Sequence, residues 1–93
     1  MISIPSTFQL AGRTWAVKLV GKRKWYGRTR HSECLIEISS RCKDEEEVSH
    51  TLLHELVHAM AYSMGWTKLN NDEARVDGLS SLLLQVLTTW TAK

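Results

Sequence analysis

Apolar and polar residues alternate in two stretches of the first forty positions and then fall into helical spacing. Phe8-Gln9-Leu10, Ala11-Gly12 and Arg13–Val20 read as a β-hairpin, because Trp15, Val17 and Leu19 alternate with Ala16 and Lys18 as in a half-buried strand. Residues 21–30 read as a basic loop with Gly27 as a turn residue. Alternation resumes over residues 33–39, with Cys34, Ile36 and Ile38 on one face and Leu35 and Glu37 on the other, and predicts a third strand. Asp44 with Glu47 three positions on resembles a capping box, and Glu45, Glu46 and Glu47 suit the positive end of a helix dipole. The helix should run over residues 44–64 and stop at Gly65, which suits a left-handed position after the last turn. Val48, Leu52, Leu56, Ala59 and Met60 form its apolar stripe.

Residues 66–70 read as a short loop, after which Asn70 or Asn71 caps a second helix over residues 72–89. That helix should pack through Val76, Leu79, Leu83, Val86, Leu87 and Trp90, with Gly78 at a close crossing. The expected fold is α+β in the order β-β-β-α-α, a small antiparallel three-stranded sheet packed on two helices. No repeat or linker divides the 93 residues, so they are expected to form a single domain.

The first helix carries His54-Glu55-Leu56-Val57-His58. Positions i and i+4 share a helix face, so both imidazoles can converge on one metal ion. Zinc favours such nitrogen ligands, and a catalytic site leaves one of four tetrahedral positions open to water. Glu55 falls beside that open position, where a carboxylate can take a proton from zinc-bound water. A third protein ligand is still required. Glu73 lies fifteen residues after His58, in the first turn of the second helix, where a reversed chain brings it back past the motif. Asp72 and Asp77 are rival ligands, and Asp77, one turn after Glu73, can instead accept the second N–H of a ligating imidazole.

His54-Glu55-x-x-His58 followed by Glu73-Ala74-x-x-Asp77 resembles the gluzincin branch of zincin metallopeptidases, and more closely the minimal, minigluzincin-like domains of phage and bacterial genomes. The resemblance covers residues 33–87. It implies one Zn2+ per chain held by His54, His58 and Glu73, with Glu55 as general base and acid and Asp77 steadying a ligand histidine. It also implies that Leu35, Ile36, Glu37 and Ile38 form a cleft-lining edge strand that holds peptide substrate extended. His31, Tyr26 and Tyr62 are the candidates for stabilising the oxyanion. The spacing between His58 and Glu73 is shorter than in large gluzincins, and no second subdomain is expected within these 93 residues as a far cleft wall. The expected activity is zinc-dependent endopeptidase hydrolysis of a peptide or protein substrate. Its rivals are a zinc-stabilised binding or regulatory module, and a nucleic-acid-associated protease resembling the SprT-like zincins.

Composition adds three points. Residues 1–32 hold seven basic and no acidic side chains, while residues 33–93 hold five basic and ten acidic ones. With Trp15, Trp25 and Tyr26 interleaved, the basic segment permits weak nucleic-acid binding, although a solvated hairpin rim is the simpler expectation. Cys34 and Cys42 lie eight positions apart, outside Cys-x-x-Cys spacing, and are expected as free thiols. No signal sequence is evident at Met1-Ile2-Ser3-Ile4-Pro5 and no run of about 18 apolar residues occurs, so a cytoplasmic, non-membrane protein is expected.

Overall fold

The hairpin forms as its sequence requires. In the computed structural model, which describes residues 2–90, β1 (Thr7–Leu10) pairs antiparallel with β2 (Arg13–Val20). Ala11 (φ 52°) and Gly12 (φ 75°) both take positive φ, the backbone of a two-residue turn whose twist matches its strands.

The sheet then departs from expectation. Among the described residues it has four strands rather than three and is mixed rather than antiparallel, in the order β1-β2-β4-β3. The additional strand is β3 (Gly27–Arg30), from the segment read as loop. Gly-Arg-Thr-Arg has no apolar residue, so its sequence gives no alternation of hydrophobicity, yet its side chains do alternate in role. β3 turns through a 3-10 segment (His31–Glu33) into β4 (Leu35–Ser39) and pairs antiparallel with it, from Gly27 opposite Ile38 to Arg30 opposite Leu35. β4 inserts between β3 and β2 and so runs parallel to β2, with Val17 opposite Ile36 and Leu19 opposite Ile38. Both edges of β4 are therefore used. Leu35, Ile36, Glu37 and Ile38 cannot be an edge strand for a peptide, and the free edge on this side of the sheet belongs to β3.

Among the described residues there are three α-helices, not two. α1 (Glu45–Ser63) is capped by Asp44, whose carboxylate accepts the Glu47 N–H at 2.8 Å. The reciprocal bond of the box closes one residue early, from the Lys43 N–H to Glu47 Oε1 at 3.1 Å. Gly65, at φ 70°, takes the left-handed position after α1. The expected loop contains α2 (Thr67–Asn70), and Asp72 rather than an asparagine caps α3 (Glu73–Thr89) through the Arg75 N–H.

Trp15 and Val17 of β2, Ile36 and Ile38 of β4, and Leu52 and Ala59 of α1 form the core between sheet and helix. α3 lies along α1 and buries little of its own length: Val76 and Ser80 are enclosed, whereas Leu79, Val86, Leu87 and Trp90, expected to pack, are exposed. Leu19 is likewise exposed at the end of β2. Cys34 and Cys42 are unpaired. Among the described residues no helix is long and apolar enough to cross a membrane.

Candidate metal centre

α1 places His54 and His58 one turn apart on the face towards α3, with ring centroids 5.1 Å apart. The first turn of α3 returns past them. Glu73 bridges the pair, with Oε1 3.1 Å from His54 Nε2 and Oε2 2.7 Å from His58 Nε2. His54, His58 and Glu73 are a metal-binding cluster in the geometric sense, offering donor atoms all within 4.8 Å of one another. A tetrahedral ion with bonds of ~2.1 Å separates its ligand atoms by roughly 3.4 Å, so the two contacts to Glu73, at 3.1 and 2.7 Å, would lengthen by a few tenths of an ångström to admit one. Two imidazoles and a carboxylate suit zinc by chemistry as well as spacing.

The outer ring nitrogens are both occupied. His58 Nδ1 lies 2.7 Å from Asn70 Oδ1, and His54 Nδ1 lies 3.3 Å from Asp77 Oδ1. An amide oxygen and a carboxylate can only accept, so with Nδ1 donating to them each Nε2, now against Glu73, would be free to turn its lone pair to a metal. Asp77 therefore sits behind the site rather than in it. Asp72 is turned to its capping bond and to Arg75, 3.3 Å away. The ligand helices differ in exposure: the His54 and His58 side chains are 19% and 13% exposed, but that of Glu73 is 68% exposed.

Glu55 is 8% exposed and is not one of the cluster donors. The Thr29 hydroxyl on β3 lies 2.8 Å from Glu55 Oε1 and 3.0 Å from its main-chain carbonyl oxygen. That tie requires β3 to approach α1 closely, and Gly27 allows it. A Cβ at Gly27 would stand 2.5 Å from Thr51 Cγ2 and 3.1 Å from Glu55 Cγ. An open cleft of about 430 Å3 lies against these groups, bounded by Tyr26 and Gly27, by Glu47, His50 and Thr51 along α1, and by Glu73 and Asp77.

Of the three oxyanion candidates, Tyr26 lines this cleft. His31 and Tyr62 instead stack on each other, with centroids 4.1 Å apart and planes 9° from parallel. Burial, and then the neighbouring His58, hold the His31 ring below its ordinary pKa. His50 lies 3.0 Å from Ser81 Oγ and 3.5 Å from Asp77.

Asn70 and Thr29 complete the surroundings of the cluster, although the sequence around Asn70 signals a helix cap and that around Thr29 a loop. The period of two in β3 was the usable signal: Gly27 and Thr29 face α1, while Arg28 and Arg30 face away. On that far side Arg28 bonds Glu37 at 2.7 Å and lies over Trp25, and Arg30 pairs with Glu33. Glu37, on the buried strand β4, is held below the usual carboxylate range chiefly by its bond from Arg28, against the opposing effect of burial.

No protein-family model matches the chain, and no curated protein or solved structure matches it significantly.

Proposed function

We propose that the chain is a small zinc-dependent metallopeptidase of gluzincin type. The observation that carries this reading is the buried Glu55 carboxylate, fixed by Thr29 beside a three-donor cluster of which it is not a member. A structural zinc site is closed by four protein ligands, whereas three leave a position for substrate or water. A purely structural site would also have no use for an anchored base. Zinc held by His54, His58 and Glu73 would supply Lewis acidity, polarising the scissile carbonyl and acidifying the attacking water. Glu55 takes the proton from that water and returns it to the leaving amine. Because Thr29 occupies Oε1, Oε2 is the oxygen that handles the proton. The free edge of β3 can hold an extended peptide by main-chain bonds, which brings its carbonyls past Glu55. This replaces the role first given to β4.

The nucleic-acid reading is the weaker one. Arg28 and Arg30 are engaged by Glu37 and Glu33, and the sheet separates that basic face from the cluster.

The test separates metal from chemistry. Elemental analysis should find one zinc per chain, and a fluorogenic peptide library should be cleaved. Glu55→Gln should keep the zinc while cleavage falls by several orders of magnitude, since the base is lost with its surroundings intact. Full zinc content in a parent protein that cleaves nothing would favour the binding module. Equal cleavage by parent and Glu55→Gln would assign the activity to something else.

A further inference from the structure

We propose that α3 is the contact surface of a homodimer, packed antiparallel against α3 of a second copy. Leu79, Leu82, Val86 and Trp90 follow one another at spacings of three, four and four, so at ~100° per residue they fall within an arc of roughly 80°. All four are exposed, Leu82 at 63% and Trp90 at 70%. Helical patterning of this kind normally marks a buried face, yet the face α3 turns to α1 is a different one, through Val76 and Ser80.

The stripe leaves roughly 500 Å2 of apolar surface open per chain, or about 1,000 Å2 in a symmetric pair, which is where specific interfaces begin. Its order is self-complementary. An antiparallel two-fold places Leu82 of one copy against Val86 of the other and brings Leu79 against Trp90, so large and small residues alternate across the seam. Charge favours a second copy over other occupants. No Asp, Glu, Lys or Arg occurs from Gly78 to Ala92, so two such faces meet without like-charge repulsion or buried unpaired ions. A membrane surface is disfavoured by the same fact, because interfacial helices carry Lys and Arg along their polar face. The dimer does not depend on the peptidase reading.

Sedimentation velocity on the full chain from 1 to 100 µM tests this directly. The parent should reach twice its 10.6 kDa mass at the upper concentrations and dissociate on dilution. Leu82→Glu/Val86→Glu should sediment as a monomer throughout, with the dissociation constant raised at least ~100-fold by paired like charges. Leu82→Gln/Val86→Gln is the second variant, since glutamine keeps helix propensity and both positions are already solvent-facing. Either variant counts when its far-ultraviolet circular dichroism matches the parent. A parent that stays monomeric at 100 µM would overturn the proposal, as would an oligomer that survives both substitutions. So would a monomeric parent that binds phosphatidylcholine vesicles, because the stripe would then belong to a lipid surface.

Discussion

Gly27→Ala is the sharpest perturbation of the centre, because two physical arguments give it opposite signs. Gly27 is not among the residues with positive φ, so alanine can adopt its backbone. By entropy alone the change should stabilise the fold by about 0.4–1 kcal/mol, through a less flexible unfolded chain. Space argues the reverse. The new Cβ would lie 2.5 Å from Thr51 Cγ2, where carbon atoms normally rest at ~3.5–4.0 Å, so β3 and α1 must part by about 1 Å. Thr51 and Glu55 are both buried, and their bonds to Cys42 and Thr29 oppose any swing aside. Overpacking of this kind costs about 1–3 kcal/mol. In a domain of this size that is a fall in Tm of roughly 5–20 °C. The same displacement loosens Thr29 from Glu55, and under the proposed peptidase function a base misplaced by ~1 Å would lower turnover by about 100-fold. Thermal unfolding and peptide cleavage are measured on the parent, Gly27→Ala, Thr51→Ser and the double variant. Serine lacks the offending methyl but keeps the hydroxyl that lies 3.5 Å from Cys42 Sγ. The double variant should regain most of the lost stability, a coupling that two independent sites would not show. An unchanged or higher Tm for Gly27→Ala, or simple additivity in the double variant, would refute the close-approach argument.

Two further predictions concern the surroundings of the cluster. In zinc titration against a competing chelator, Glu73→Ala should lose most affinity, Asn70→Ala and Asp77→Ala about 10–100-fold, and Asp72→Ala little beyond a cap worth ~1 kcal/mol. An Asp72→Ala variant weaker than Glu73→Ala would reassign the third ligand. Glu37 titrates below its ordinary 4.5 in the folded chain, so its stabilising contribution is complete above that pH and is lost as pH falls through the folded value. The stability gap between parent and Glu37→Gln, read from urea midpoints, should narrow from pH 7 to pH 3; a constant gap would mean that the Arg28 bond contributes nothing through charge.

The parts of this architecture that were legible in sequence are those whose signals are local. Asp44 and Gly65 bracket α1, Ala11-Gly12 marks the hairpin, and the two histidines share a helix face by spacing alone. The misread parts depend on tertiary neighbours. β3 carries glycine and threonine inward because a helix approaches there, and two arginines outward, so apolar alternation never arises. The parallel pairing of β2 with β4 follows from β3 taking the outer edge, which no local pattern encodes. Asn70 looks like any helix-flanking asparagine until the chain returns it to His58. α3 has the periodicity of a packed helix, but that periodicity does not say what it packs against.

The alternation in β3 also determines which changes this chain can accept beside its centre. Positions 27 and 29 answer to α1, and positions 28 and 30 answer to the charge balance of the opposite face, with no position shared between the two demands. Substitution at 30, or at 28 together with its partner Glu37, can therefore alter the electrostatic character of the protein's far surface while leaving Glu55 in place. A one-residue shift of β3 against β4 has no such freedom. It would turn both arginines towards Glu55 and the threonine away, exchanging two surfaces at a single step. Within these four residues side-chain identity is most negotiable at position 30, is tied at position 28 to the buried Glu37, and register is not negotiable at all.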